Sequence, residues 1–318
     1  MKTLLALAAV LAVLPWLAGK YFTGLLVVAG IYTIATVGLT ILMGFAGQVS
    51  LAQGAFYGIG AYASMVLSMR VGLPVWLAIL LACVAAAGVA LAIGRPSLKL
   101  HGHHLALATL GFGLIVYIVF SELGDLTGGP SGMIGIPRLS LAGFTLTKDV
   151  HYYYVVWTVA LVALGAMHRL MGSAWGRLLR ALAASEPAAE AMGVDTRRLK
   201  LQAFVLSGAL GGLAGALYAH WITVISPITF NFEVSIELLM MAVVGGLGSI
   251  WGSLLGATLV TFLVEALRTL MPALRAGSSA EWEIVGFGLL LIATMVFLPE
   301  GVAGGLGRLA RRLGAVRA

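Results

Sequence analysis

Three uncharged polar side chains stand close together in an otherwise apolar part of the chain, with three glycines among them. They are Gln48, Ser50 and Gln53, within the segment GFAGQVSLAQG at residues 44–54. A helix broken at this point would present backbone amide dipoles, together with these groups, to a zwitterionic solute. A short turn between two ordinary helices would use the same glycines without any such role. The residues alone leave both interpretations open.

A second glycine-rich run, TGGPSG at residues 127–132, lies within a long polar stretch at residues 122–150. Such a run cannot be helical, and its tight turns expose backbone amides. The amides around Gly128, Gly129 and Ser131 could receive a carboxylate. A plain reverse turn explains the same composition without a ligand and is favoured by the residues alone.

Motifs for nucleotide and metal chemistry are weak or missing in this chain. No G-x-x-x-x-G-K-[ST] loop occurs, and the glycine-rich run at residues 245–252 lacks the lysine that would reach phosphates. Any nucleotide energy must therefore come from a partner. The cluster of His101, His103 and His104 could bind a metal or relay protons, but no carboxylate or cysteine stands near it in the sequence. We therefore expect no catalytic residue, no metal site and no bound cofactor.

The composition indicates that lipid is the solvent for most of the surface. Of the 318 residues, 61% are hydrophobic and 10% are charged, and the mean hydropathy is +1.05. Soluble domains carry about a quarter charged residues. This chain has too few charged residues to form the water-exposed surface of a soluble fold. The single cysteine, Cys83, can form no internal disulfide. We predict an all-α polytopic membrane protein.

Ten apolar stretches predict about ten transmembrane helices in a single domain over residues 1–318, since one span needs roughly 20 apolar residues. Glycines at four-residue spacing within several of them indicate closely packed helices. The first stretch could instead be a cleaved signal peptide, which would leave nine spans. A permanent span is favoured, because another span follows almost at once. The stretches lie near residues 3–18, 21–43, 51–69, 75–94, 104–121, 152–171, 201–222, 236–250, 252–271 and 284–298.

The distribution of basic residues predicts the orientation. With ten spans and a cytoplasmic N-terminus, 13 of the 19 lysines and arginines face the cytoplasm and six face outward. That bias follows the positive-inside rule, and the opposite orientation would reverse it. Both termini are therefore predicted to be cytoplasmic, with a cytoplasmic loop at residues 172–200 and a periplasmic loop at residues 122–150.

The cytoplasmic loop carries the pattern of two helices. The first has apolar residues at the spacing of one helix face, flanked by arginines; these residues are Trp175, Leu178, Leu179 and Leu182, with Arg177 and Arg180. For the second, Ser185 suits the N-cap, Glu186 and Glu190 suit the positive end, and Gly193 suits the C-terminus. Asp195 or Thr196 then starts the next span. This short helix is either a connector or a lever on which a cytoplasmic partner pushes, and the residues alone favour the connector.

Five stretches give the chain a family resemblance. They are GFAGQVSLAQGAFYGIGAYAS (44–64), KLHGHHLALATLGFG (99–113), LTGGPSGMIGIP (126–137), GRLLRALAASEPAAEAMGVDTRRLKLQAFVLSGALGGLAGALYAH (176–220) and LLMMAVVGGLGSIWGSLLGA (238–257). In these stretches the chain resembles the permease subunits of ATP-binding-cassette importers for branched-chain amino acids, specifically the LivM-like branch. The matches extend over most of the chain in the family's order.

The resemblance implies an assembly as well as a fold. It implies a second permease subunit, two ATP-binding subunits that use the ATP, and a periplasmic solute-binding protein, at the bacterial inner membrane. The segment Glu186–Gly193 resembles the coupling helix that docks in a groove of the ATPase subunit. Pro187 departs from the family's E-A-A-x-x-x-G pattern, which leaves the individual coupling residues open.

We therefore expect a permease subunit, not an enzyme, that forms half of a substrate pathway opened alternately to each side. The expected pathway residues are Gln48, Ser50, Gln53, Thr127, Gly128, Gly129 and Ser131. The expected ATPase-coupling residues are Arg177, Arg180, Glu186, Glu190, Gly193 and Asp195. Urea, amides or other amino acids are alternative substrates. A stand-alone secondary transporter is a rival function, although no buried chain of acidic residues and histidines supports it, and a membrane enzyme is a third.

Overall fold

The computed structural model describes residues 11–16, 19–100, 102–141, 144–274, 288 and 301–305. The first and last of the ten predicted spans, at 3–18 and 284–298, fall mostly outside these residues. The described part is helical apart from its loops and four two-residue strands.

The principal helices are labelled in chain order. The helix Lys20–Thr40 continues into a π-helix at Ile41–Phe45. The helices are α1 (Lys20–Thr40), α2 (Gln53–Met69), α3 (Val75–Ser97), α4 (His103–Glu122), α5 (Asp149–Gly172), α6 (Ala174–Ala184), α7 (Glu186–Ala191), α8 (Thr196–Ile222), α9 (Phe232–Gly245) and α10 (Ile250–Leu274).

Seven helical stretches among the described residues are long and apolar enough to cross a membrane. They correspond to the predicted spans from 21–43 to 252–271, with one exception. The prediction at 51–69 corresponds to α2, whose 17 residues are fewer than the roughly 20 of a typical span. The all-α polytopic fold is confirmed, while the total of ten spans and the sides of the termini stay predictions. The seven stretches are Lys20–Phe45, Val75–Ser97, His103–Glu122, Asp149–Gly172, Thr196–Ile222, Pro227–Gly245 and Ile250–Thr269.

Helix α8 lies at the centre of the bundle and packs against α1, α2 and α3. A methyl group on Gly60 of α2 would lie 1.9 Å from the carbonyl oxygen of Gly212 in α8. A methyl group on Gly215 would lie 1.7 Å from the carbonyl oxygen of Tyr57. Both distances are far below van der Waals contact, so the two backbones meet only because glycine stands at these positions. The packing role predicted for the α8 glycines is confirmed.

Gly248, Gly252 and Gly256 also stand at four-residue spacing, but they differ in their surroundings. A methyl group on Gly256 would lie 1.9 Å from the carbonyl oxygen of Met241, so this glycine does allow α9 and α10 to meet. A methyl group on Gly248, by contrast, would meet no atom within 4 Å. Gly248 belongs to the turn between the two helices, because α10 begins only at Ile250.

Helices α6 and α7 form where the apolar spacing and the caps predict them. Gly176, Leu179 and Leu182 are the buried face of α6, whereas Leu178, predicted on that face, is 39% exposed. The Ser185 side chain accepts a hydrogen bond from the amide of Ala188 and so caps α7.

The loop between α4 and α5 contains strands that the sequence pattern does not predict. Strand β1 (Met133–Ile134) pairs antiparallel with β4 (Val224–Ile225), which follows α8. Strand β2 (Ser140–Leu141) pairs with β3 (Phe144–Thr145). Two-residue strands are too short to show alternation in the sequence, and β1 pairs with a strand that lies far along the chain.

Candidate functional site

Residues 46–52 are neither helix nor strand, and they connect the π-helix to α2. Exposure alternates along this break in the helix. Gly47 and Val49 are exposed, whereas Gln48 and Ser50 are 4% and 2% exposed. The break therefore presents one side to the interior of the bundle and the other to its surroundings.

The break reaches the middle of the bundle. The Gln53 Nε2 atom donates to the carbonyl oxygens of Ala35 at 2.9 Å and of Ser207 at 3.3 Å. Its Oε1 atom accepts from the Ser207 hydroxyl at 3.0 Å. Ala35 and Ser207 lie near the midpoints of the α1 stretch and of α8. Helix α2 thus begins deep between the longer helices, a geometry that matches the broken-helix interpretation rather than a surface turn.

Two further contacts hold the break in place. The Leu51 amide donates to the Thr109 hydroxyl of α4 at 3.0 Å. The Gly54 amide donates to the Ser235 hydroxyl in the first turn of α9 at 2.9 Å. The N-termini of α2 and α9 therefore lie side by side. Helix N-termini carry partial positive charge, so this region could stabilise a carboxylate.

The three predicted pathway side chains differ in their hydrogen bonding. Gln53 is committed to the bonds that join α1, α2 and α8. Ser50 accepts from the amide of Ala52 at 3.3 Å. Both amide atoms of Gln48 are buried and form no hydrogen bond with any residue in the described ranges. A buried polar group without a partner costs about 1–3 kcal/mol, so Gln48 is the member of the set with bonding capacity left for a ligand.

A cluster of aromatic side chains lies between α2, α4, α8 and the turn at Pro227–Phe230. The Tyr62 and Phe120 ring centroids are 4.3 Å apart, and Tyr57 lies 5.5 Å from Phe230 and 5.6 Å from Tyr218. The hydroxyls of Tyr57 and Tyr62 are buried without a hydrogen bond to any described residue. This cluster was not predicted from the sequence. Its one signal is the aromatic density of FYGIGAY in α2, which does not tell which residues those rings face.

The TGGPSG run is a turn whose backbone amides form local hydrogen bonds. The Thr127 hydroxyl lies 2.6 Å from the carbonyl oxygen of Phe120 and accepts from the Gly129 amide at 3.2 Å. The Gly128 amide donates to a carbonyl oxygen in the preceding turn, at 2.9 Å. Gly128 and Gly129 have φ angles of +79° and +61°, which glycine adopts readily. Ser131 is exposed. The geometry favours the plain-turn interpretation.

The two predicted groups of pathway residues lie at different levels of the bundle. Thr109 contacts the break and Phe120 contacts the TGGPSG turn, and both belong to α4. At 1.5 Å per residue these positions are about 16 Å apart along the helix axis. The break and the turn therefore do not form one site.

Helix α7 is fastened to the beginning of α8. Glu186 forms an ion pair with Lys200, and the Thr196 hydroxyl donates to the Glu190 carboxylate at 2.7 Å. The Trp175 indole of α6 donates to the side-chain oxygen of Gln202 at 2.8 Å. The loop from α6 to α8 is therefore braced as one unit.

The remaining predicted coupling residues also have structural partners. Arg180 donates to the carbonyl oxygen of Met171 at 3.1 Å, and Arg177 to that of Gly172 at 3.4 Å. The Asp195 carboxylate accepts from the Arg198 amide at 3.0 Å and caps α8. Gly193 has a φ angle of +80° and ends the α7 turn.

The exposed tip of this loop is a surface that sequence analysis did not single out. Met192 is 84% exposed, and Pro187, Ala188 and Ala191 are also exposed. The carboxylates of Glu186 and Glu190 point back to α8, so small and apolar side chains form most of the tip.

The histidine cluster provides no metal-binding group in the described residues. His103 and His104 are exposed at the start of α4, and His101 lies outside the described residues. No three His, Cys, Asp or Glu side chains within the described ranges lie together as metal ligands would.

Comparisons with known proteins agree on one family. The family described as the permease component of the branched-chain amino acid transport system matches residues 21–295. The chain is 30% identical to the high-affinity branched-chain amino acid transport system permease protein LivM of Escherichia coli K12, over 94% of this chain and 74% of that protein. It is 28% identical to the LivH permease protein of the same organism, over 86% and 91%. It is 27% identical to a probable LivH permease of Methanocaldococcus jannaschii, over 88% and 91%. No solved structure matches the chain.

Proposed function

The chain belongs to the family of branched-chain amino acid transport permease components, and on this premise we propose that it is the membrane-spanning subunit of an ATP-binding-cassette importer. Its substrate is a branched-chain or related amino acid. The single observation that carries the proposal is the family match over residues 21–295, which include both the break and the braced loop. Urea, amides or other amino acids are the alternative substrates within the same mechanism.

The chain forms half of the pathway and has no energy source of its own. Its companion is a second permease subunit, two ATP-binding subunits supply the energy of ATP hydrolysis, and a periplasmic protein delivers the solute. The likeness of this chain to two permease proteins of one organism, LivM and LivH, supports pairing with a different permease chain. The complex lies in the bacterial inner membrane, with ten spans and both termini in the cytoplasm.

The loop from α6 to α8 lies in the cytoplasm and couples the ATPase to the pathway. Its exposed tip docks on the ATP-binding subunit, with small side chains against the partner surface. Movement of α7 passes through the Glu186–Lys200 ion pair and the Glu190–Thr196 hydrogen bond into α8. Because α8 packs on α1, α2 and α3, displacement of its cytoplasmic end moves the centre of the bundle.

The break at residues 46–52 lines the pathway at mid-depth. Backbone that is not helical is tolerated at this depth only where it is buried in protein or lines a cavity. The exposed side of the break, with Gly47 and Val49, faces the pathway, and the Gln48 amide turns to the solute when the pathway opens. The adjoining N-termini of α2 and α9 favour the solute carboxylate. The TGGPSG turn closes the outer end of α4.

Reconstitution in liposomes tests this function. Vesicles that contain this chain alone should accumulate no leucine, with or without ATP. Addition of the companion permease, the ATP-binding subunits and the solute-binding protein should produce leucine uptake that requires ATP inside the vesicles. Competition with isoleucine, glutamine and urea then identifies the substrate class. Uptake by the chain alone, driven by an ion gradient, would identify a secondary transporter and refute the importer.

A deletion tests the coupling loop separately. Removal of residues 186–192 together with replacement of Gly193 should leave the chain inserted in the membrane and associated with the companion permease. ATP hydrolysis should then no longer drive uptake. Full transport by this variant would refute the role of α7 in coupling ATP hydrolysis to transport.

A further inference from the structure

A groove of about 600 Å³ lies between the end of α3 and the beginning of α8. The basic residues Arg95 and Lys99 line it from the α3 side. Arg197 and Arg198 line it from the α8 side, and all four side chains are exposed. Gly94 and Leu201 form part of its apolar floor. The groove thus carries four positive charges at one end of the transmembrane bundle.

The positive charge of this groove is not neutralised by the residues that the structure describes. Asp195 is the one acidic residue in the lining, and its carboxylate accepts from the Arg198 backbone amide at 3.0 Å as the cap of α8. No side-chain hydrogen bond or ion pair forms between the four cations and any residue in the described ranges. The α8 N-terminus adds partial positive charge. Like charges at this density repel one another and favour a bound anion.

Basic residues on neighbouring elements behave differently. Lys200 pairs with Glu186, and Arg177 and Arg180 donate to carbonyl oxygens at the end of α5. Within the loop from α6 to α8, the basic side chains without a partner among the described residues are therefore Arg197 and Arg198, and both line the groove.

An exposed apolar stripe on α3 leads directly into the groove. Val84 is 66% exposed, Gly88 is exposed with open space where a methyl group would lie, and Leu91 is 37% exposed. These residues recur at the spacing of one helix face, and the next position on that face is Arg95. An anion that fits both features has a charged head and an apolar tail that runs along α3 into the membrane.

We propose that this groove binds the phosphate of an anionic phospholipid, whose acyl chains lie along the Val84–Leu91 stripe. Basic pockets between transmembrane helices at the membrane surface bind such headgroups. The lipid phosphate accepts hydrogen bonds from the guanidinium groups, which suit phosphate oxygens in bidentate geometry. The bound lipid would hold the end of α3 against the beginning of α8, beside the braced loop. The inference rests on the membrane-spanning fold and not on the proposed transport function.

Binding of defined lipids to the purified full-length chain tests the site. Native mass spectrometry would compare phosphatidylglycerol with phosphatidylcholine, which has the same phosphate but no net charge. We expect phosphatidylglycerol to stay bound under conditions that remove phosphatidylcholine. The variant R197Q/R198Q should weaken phosphatidylglycerol binding about twenty-five-fold, since each cation near a membrane surface contributes about five-fold. The matched control K20Q/R70Q removes two exposed charges, one at the first residue of α1 and one directly after the last residue of α2. This control should bind phosphatidylglycerol as the native chain does.

Three further results would overturn the proposal. Equal loss of lipid by R197Q/R198Q and by K20Q/R70Q would indicate a general charge effect. If millimolar inorganic phosphate displaces the lipid, and the acyl chains of a short-chain phosphatidylglycerol add no affinity, the groove is a site for free phosphate. Unchanged lipid binding by R197Q/R198Q together with lost binding of the ATP-binding subunit would identify the groove as a protein contact. Thermal unfolding of each variant in detergent confirms that the chain remains folded.

Discussion

Lys200, buried near the beginning of α8, forms an ion pair with Glu186 of the short helix α7. The two residues are 14 positions apart, so the pair closes the turn that contains Gly193 and Asp195. A buried ammonium needs its counter-charge, because an unpaired buried charge is destabilising. The contact therefore gives α7 a fixed position relative to the helix at the centre of the bundle.

Replacement of either member of this pair should loosen α7. We expect E186Q and K200M each to reduce the number of solute molecules transported per ATP hydrolysed, because the movement of α7 is no longer passed fully to α8. In unfolding measurements, a double-mutant cycle with E186Q/K200M should give a coupling energy on the order of 1 kcal/mol. The control D125N removes an exposed carboxylate from the other end of the bundle and should change neither quantity. If the effects of E186Q and K200M on the free energy of unfolding are additive, the ion pair does not hold α7 against α8.

Gly193 should be sensitive to substitution for a conformational reason alone. Its φ angle is +80°, and a methyl group at this position would meet no atom within 4 Å. In G193A the strain is about 1 kcal/mol, because side chains other than glycine disfavour the left-handed region. We expect the α7 turn to open and ATP-driven uptake to fall while ATP hydrolysis persists. The measurement compares uptake with ATP hydrolysis in the reconstituted complex.

Gly172 is the matched control for Gly193. It also has open space around it but has no positive φ angle, so G172A should transport as the native chain does. Equal losses in G172A and G193A would show that the loop tolerates no side chain, whatever its backbone conformation.

Gln48 and Gln53 should respond oppositely to replacement by leucine. Q53L removes three hydrogen bonds between α1, α2 and α8 and should lower the free energy of unfolding by about 2 kcal/mol, since such bonds contribute about 0.6 kcal/mol each in membranes. Q48L removes an amide that has no partner among the described residues, so stability should be unchanged or higher. If Gln48 contacts the solute, Q48L should nonetheless reduce uptake. Thermal unfolding in detergent and uptake in liposomes separate the two effects, and a stable Q48L variant with native uptake would remove Gln48 from the pathway.

The sequence predicts the helices of this protein well because its signals are local. Apolar length predicts the spans, and the caps at Ser185 and Asp195 predict α7 and the start of α8, since each depends on residues a few positions apart. Four-residue glycine spacing likewise predicts close packing of α8. The spacing does not predict which helix packs against α8, because the contact between Gly60 and Gly212 depends on how two distant segments meet.

The candidate site was less predictable for the same reason. Gln48, Ser50 and Gln53 are alike in the sequence, yet Gln53 joins three helices while the Gln48 amide has no partner among the described residues. The carboxylates predicted to act in coupling show a similar difference. Glu186 and Glu190 are suited to a helix N-terminus, and only the fold turns them back to Lys200 and Thr196. Side-chain partners in the tertiary structure, rather than residue type, decide these roles.

The contact between α2 and α8 should be the least tolerant of added volume. In G60A the new methyl group would lie 1.9 Å from the carbonyl oxygen of Gly212, which is backbone and cannot rotate away. The two helices must then separate, at a cost of about 3 kcal/mol, and α2 loses the position that Gln53 fixes at mid-depth. G60A should therefore unfold at a lower temperature than the native chain. The matched control is G111A on α4, where a methyl group meets no atom within 4 Å and the stability should be unchanged or slightly higher. Equal stability of G60A and G111A would mean that α2 and α8 do not touch as described.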